Sequence, residues 1–166
     1  MPDPEMRPDL APFETLAAES DGEGMPRDPE NEIRSLVAAY AAAMRDKNAA
    51  AVVALCDPGL VRFDIAAPLV TAGGEAVDEA GLAEWFAGWE GPLGFDLRDL
   101  EVSAAGNIAF CHALARFAGN RRGAETELWA RWTLGLHRQA GQWRITHEHC
   151  SAAIDPETGR AQMHLD

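Results

Sequence analysis

Apolar residues first fall into a regular pattern after Pro29, where Ile33, Leu36, Val37, Tyr40, Ala41 and Met44 recur at helical spacing through an alanine-rich run. This predicts a first helix with Tyr40 on its buried stripe. Asn48 is placed to cap a short second helix through Val52, Val53 and Cys56, which Asp57-Pro58-Gly59 ends. Leu60 to Ile65 reads as a strand closed by Pro68. Asp78 and Glu79 open a third helix, whose Leu82, Trp85, Phe86 and Trp89 fall at i, i+3, i+4 and i+7 before Gly91-Pro92. From there the period changes to two. Phe95–Val102, Ile108–Ala118, Glu125–Arg138 and Gln142–Ala153 read as strands of a meander, joined at Ala104–Asn107, Gly119–Gly123 and Gln139–Gly141. Helices followed by antiparallel strands predict an α+β fold: three N-terminal helices on one face of a strongly curved antiparallel sheet, forming a cone around an apolar pocket.

Residues 1–28 are rich in Pro, Gly and acidic side chains, with Leu10, Phe13 and Leu16 as their few apolar anchors. They read as a flexible arm, in which a short helix at Phe13–Ala18 is an alternative. Residues 29–154 form the domain and 155–166 a tail. The chain of 166 residues carries 27 acidic and 14 basic side chains, a net charge of -13 that repels phosphate backbones and anionic lipid. No nucleic-acid or membrane partner is expected. Three widely spaced cysteines, Cys56, Cys111 and Cys150, fit neither a disulfide framework nor a zinc knuckle. With no basic, apolar leader at the N-terminus, they point to the cytoplasm.

Strand alternation groups Trp143, Ile145, His147, His149 and Ser151 on one face of the last strand, and the two large apolar residues mark that face as the inner one. With the Gln139–Gly141 turn setting the register, Trp129, Arg131 and Thr133 join it from the preceding strand, and His112, Leu114 and Arg116 from the one before. His112, Arg131 and His149 then form a cross-strand row. A buried guanidinium requires a carboxylate, and Asp64 is the candidate. Asp64 or His149 would act as base for proton abstraction next to a carbonyl, with Tyr40, Arg131 and His112 as polarising donors. Trp85, Trp89, Leu114, Trp129, Thr133, His147 and Ser151 would contact the substrate. Each residue also has a plainer role: Tyr40 as a satisfied core tyrosine, Asp64 as a turn cap, and His149 with Ser151 as a fastening of the last strand. A metal held by His112, His147 and His149 is disfavoured by Arg131 among them, so neither a metal nor another cofactor is expected.

The order of elements, with YAAAMRDKNAAAVVAL, VRFD and GQWRITHEHCS, resembles the SnoaL-like and ketosteroid-isomerase-like families of the nuclear-transport-factor (NTF2-like) fold, from about Pro29 to Ile154. The resemblance implies a cone-shaped fold and a small-molecule pocket. It also implies an isomerase, cyclase or lyase, or else a non-catalytic binding or dimerisation module. Tyr40 falls where ketosteroid isomerases carry an oxyanion-donating tyrosine and Asp64 where they carry the general base, 24 residues apart as in that family. Thr133 stands where they carry a protonated aspartate. The expected ligand is a small organic molecule with a carbonyl or carboxylate. A homodimer is expected through the outer sheet face, to which the same alternation assigns Trp132, Arg144, Glu148 and Cys150.

Overall fold

In the computed structural model, residues 28–165 are described; the expected arm and its helix at Phe13–Ala18 lie outside them. Helix α1 spans Pro29–Arg45. Pro29 occupies its first turn, and the side chain of Asp28 caps it by accepting from the Glu30 backbone N–H at 3.1 Å. Asn48 caps α2 (Ala49–Ala54) by accepting from the Ala51 N–H at 3.0 Å. Strand β1 (Cys56–Phe63) follows, then the two-residue β2 (Thr71–Ala72), a 3-10 turn at Gly73–Glu75, and α3 (Glu79–Ala87). Four long strands complete the sheet: β3 (Trp89–Ala105), β4 (Ile108–Arg121), β5 (Ala124–Gln139) and β6 (Gln142–Ser151). A small hairpin of β7 (Ala153–Ile154) and β8 (Ala161–Gln162) ends the chain, and the Trp129 N–H donates to the Met163 carbonyl at 2.7 Å just beyond it.

The six-stranded sheet has the order β2-β1-β6-β5-β4-β3. The meander of β3 to β6 is as expected, and β1 adds to its far side in parallel with β6, pairing Phe63 with His149. That parallel pairing brings residues from the first third of the chain against the last strand. The α+β expectation holds: helices cover one face of an open, curved sheet, and the core lies between them. Ile33, Val37, Tyr40 and Met44 of α1 meet Phe95, Ala113, Ala115, Trp132, Leu134 and Ile145 of the sheet. The inward positions of β4 are small, Ala109, Cys111, Ala113 and Ala115, and the helix packs against this low-relief stripe. Trp89, expected at the end of the third helix, begins β3 because α3 stops at Ala87 with Gly88 as its cap. No helix among the described residues is long and apolar enough to cross a membrane.

Two local features turn strand faces over relative to the sequence reading. The β5–β6 connection is a two-residue turn, Ala140 (φ 48) and Gly141 (φ 78), which pairs Gln139 with Gln142. Two consecutive positive φ values are the signature of the tight hairpin turn matched to strand twist. A three-residue connection had placed the odd-numbered positions of β5 inside; the shorter turn slips the register by one and puts Trp132, Leu134 and Leu136 there. The second feature is a bulge in β6. Leu136 pairs with Ile145 and Gly135 with His147, so Thr146 is an extra residue, and beyond it the alternation reverses. Trp143 and Ile145 are buried as expected, but after the bulge Glu148 and not His149 faces the core.

Candidate functional site

The reversal in β6 carries a carboxylate into the apolar interior. Glu148 is 6% exposed and is held by three donors from three elements. The Tyr40 hydroxyl of α1 donates to Oε1 at 2.8 Å, the Trp132 indole N–H of β5 to the same oxygen at 2.9 Å, and Arg62 Nε of β1 to Oε2 at 2.8 Å. Three of about four acceptor positions on the carboxylate are thus occupied, and its charge is paired with a guanidinium, the condition for keeping an ion in a core. Burial opposes the charge of Arg62, but the Glu148 carboxylate outweighs it, and the guanidinium holds its proton above the ordinary value. Burial and then the Glu148 charge push the Tyr40 hydroxyl well above its usual range, so Tyr40 stays protonated and its single hydrogen goes to Glu148.

This cluster forms one wall of a cavity of about 350 Å3 between the helices and the concave face. Met44, Phe95, Phe117, Leu128 and Trp132 supply apolar walls, Asp64 and Ile65 stand at the β1 end, and Trp85, Trp89 and Arg121 lie at the β3–β4 end. Arg62 and Asp64, two residues apart, both line the cavity, as period-two alternation requires. Asp64 is exposed, just past the end of β1, and its Oδ1 accepts from the Ala66 N–H at 3.4 Å. Cys150 also faces inward; burial, then Glu148 and Asp64, push its thiol up to about 12.

A profile of the SnoaL-like domain matches residues 33–155. The chain belongs to the SnoaL-like family. Among solved structures, it is similar to an NTF2-like protein of unknown function from Pseudomonas putida KT2440, at 34% identity and a TM-score of 0.74 over 82% of this chain and 95% of that one. It shares its fold with a candidate dehydratase of the NTF2-like family from Streptomyces avermitilis, at 19% identity and a TM-score of 0.66 over 76% and 96%. A candidate ketosteroid isomerase from Shewanella frigidimarina has the same fold, at 22% identity and a TM-score of 0.58 over 70% and 92%. None of the curated proteins compared matches the chain.

In this SnoaL-like domain, Tyr40, Asp64, Trp85 and Trp89, four of the residues named from the sequence, line the cavity. The others expected there do not. His147, His149 and Ser151 lie on the outer face of β6 because the Thr146 bulge reverses the strand. Trp129, Arg131 and Thr133 lie outside on β5 through the two-residue turn, and His112, Leu114 and Arg116 outside on β4, because their strand partners set the face. The cross-strand row is His112–Thr133–His149, with Arg131 opposite Leu114 and Ser151. Arg131 is exposed on the outer face whereas Asp64 lines the cavity, so the expected pairing of the two is not formed. Trp132, Glu148 and Cys150, assigned to the outer face, are inside, whereas Arg144 does not line the cavity and donates to the Ala54 carbonyl. Among the described residues no group of three or more His, Cys, Asp or Glu side chains is placed to hold a metal.

Glu148, Arg62 and Arg121 were missing from the expected site. A signal for Glu148 was present: Tyr40 and Trp132 are donors on apolar stripes, and buried donors need an acceptor.

Proposed function

We propose that the cavity binds a small organic molecule bearing a carbonyl group and that the protein acts as a cofactor-independent isomerase, cyclase or lyase by abstracting a proton next to that carbonyl. The observation that carries this reading is that Arg62 of β1 and Asp64 just past its end both line the cavity, with Glu148 fixing the guanidinium from behind. Arg62 spends Nε on Glu148 and keeps its two terminal nitrogens for a ligand oxygen. A fixed cation beside an apolar wall stabilises the oxyanion that forms when a neighbouring carbon loses its proton. Asp64, the carboxylate at the mouth with the fewest competing donors, is the proton acceptor. Tyr40 supports this arrangement through Glu148 and does not polarise the ligand itself, because its hydrogen is committed.

The exposure of Asp64 favours a second reading, a ligand-binding module in which Asp64 only caps the turn before Ala66. Solvent exchange separates the two. Ligands that bind are incubated with the protein in deuterated water and followed by NMR at the carbon next to the carbonyl. Deuterium incorporation is expected, falling about a hundredfold in Asp64→Asn, the usual scale of a lost general base. Bound carbonyl compounds that never exchange would leave the binding reading.

Self-association belongs to the same proposal. Trp132 is inside and offers nothing to a partner, but Phe63, Ile108 and Phe110 are exposed large apolar side chains, the last two on the outer face of β4, and a partner would cover them. Sedimentation at micromolar concentration is expected to give a dimer.

A further inference from the structure

Arg121 ends β4 directly opposite Trp89, the first residue of β3, and both line the cavity. Its guanidinium carbon stands 5.6 Å from the Trp89 ring centroid and 5.9 Å from that of Trp85, within reach of both π faces. The indoles themselves are 5.5 Å apart and steeply inclined. Gly119 permits the close approach behind this corner: a Cβ there, at φ 146, would meet the Pro92 carbonyl at 2.8 Å and the Trp89 ring at 3.4 Å. Two donors in the corner are left without acceptors. Arg121 Nε and Trp89 Nε1 are both buried, and neither has a hydrogen-bond partner among the described residues. Trp89 is only 2% exposed.

Buried donors of this kind call for an acceptor, and a guanidinium calls for a negative one. This chain has almost twice as many acidic as basic side chains, yet no carboxylate among the described residues pairs with Arg121. Phe117, Phe95 and Leu128, which line the same cavity, are apolar. A carboxylate accepts in the plane of the guanidinium fork and has lone pairs left to take an indole N–H as well.

We infer that the cavity takes a small aromatic or alicyclic carboxylate, whose anionic group is bound by Arg121 and the Trp89 indole N–H and whose ring lies against Phe95, Phe117 and Leu128. The inference rests on the proposed ligand-binding role of the cavity and fixes the orientation within it. The sheet order β1-β6-β5-β4-β3 puts Arg121 across the concave face from Arg62 and Asp64. A ligand anchored at Arg121 therefore extends its far end toward Arg62, where the proton chemistry is proposed.

The test compares benzoate, cyclohexanecarboxylate and phenylpyruvate with their primary amides, which keep the shape and lose the charge. Titrations follow the indole N–H resonances by NMR, with Trp89 assigned through Trp89→Phe. At least one acid should bind tenfold or more tightly than its amide and shift the Trp89 resonance most, because that proton gains an acceptor. Arg121→Met should reduce its affinity to that of the amide. Because it removes an unpaired charge, the variant should melt at the same temperature as the parent or higher. Equal binding of acids and amides, an unmoved Trp89 resonance, or undiminished acid preference in Arg121→Met would each overturn the inference; so would binding by no member of either series. Phenylpyruvate that binds through Arg121 without catalysed deuterium exchange at its methylene carbon would sustain the inference while removing the catalytic reading. Neutral carbonyl compounds that bind and exchange with no preference for acids would do the reverse.

Discussion

Two arginines reach the same cavity and are treated in opposite ways. Arg62 enters from β1 and meets a buried carboxylate at 2.8 Å, itself held by a tyrosine and a tryptophan. Arg121 enters from β4 and is stacked near two indoles with no carboxylate partner among the described residues. The first has its charge answered by the protein, and so behaves as part of the frame. The second lacks an answering charge among the described residues, the one that the proposed carboxylate would supply. Stability and ligand affinity should accordingly divide between them.

The largest expected effect is on the frame. Glu148→Gln keeps the shape of the side chain but leaves the Arg62 guanidinium in the core without its counter-ion, and one-sided removal of a buried pair costs about 3–5 kcal/mol. Thermal or urea unfolding of this variant should show a loss of that size, whereas Arg121→Met should show none. Equal losses in the two variants would break the distinction between a paired and an unpaired arginine.

Alkaline pH should act on the same frame. Tyr40 donates to Glu148, and its hydroxyl is raised by burial and by that carboxylate; Cys150, beside Glu148, is raised from 9.0 to about 12, and Cys56 likewise to about 12, both by burial first. All three groups bind their protons more tightly folded than unfolded. Their contribution to stability is therefore complete below the ordinary values and is lost as pH rises toward the folded ones. Denaturant midpoints should be flat on this account up to about pH 8 and fall steadily above about pH 9, within the range where free thiols and then tyrosine ionise. A midpoint unchanged up to about pH 11 would show that these groups are not desolvated as the structure has them.

The contrast between the two arginines also marks how far the sequence could be read. Helix α1, the capping role of Asn48, the strand meander and the inward position of Tyr40 all follow from periodicity and caps, which are local. The site depended on the facing of β5 and β6, and that is set by single residues. Ala140 in a left-handed conformation shortens a turn by one residue, and Thr146 adds one to a strand; each reverses the strand it touches. Alanine is not a usual residue for positive φ, so nothing in Gln139-Ala140-Gly141 distinguished a two-residue from a three-residue turn. The pattern within β5 did carry the answer, since Ala130, Trp132, Leu134 and Leu136 form a more continuous apolar set than Trp129, Arg131, Thr133 and Gly135. The parallel docking of β1 on β6, which brings Arg62 to Glu148 across 86 residues, has no local signal.

The smallest expected effect belongs to a third arginine, and it sharpens the comparison by serving as its control. Arg131 lies on β5 one residue from Trp132, but on the outer face, exposed, opposite Leu114 and Ser151. His149 lies on β6 one residue from Glu148, also outside, with its ring 5.8 Å from Phe63. Alternation separates each from the cavity by the thickness of the sheet. Arg131→Met removes a solvated charge and should change stability by no more than about 0.5 kcal/mol, the usual range for surface substitutions. His149→Thr keeps strand propensity and loses an edge contact, a cross-strand term of about 0.2–1 kcal/mol. Neither should alter carboxylate affinity or deuterium exchange, which are assigned to Arg121 and to Asp64 with Arg62. The measurement is binding and exchange on the two variants beside Arg121→Met and Asp64→Asn. A loss of binding in Arg131→Met comparable to that in Arg121→Met would mean that cationic character anywhere on the sheet attracts the ligand. The unpaired guanidinium at the β3–β4 corner would then have no special claim to it.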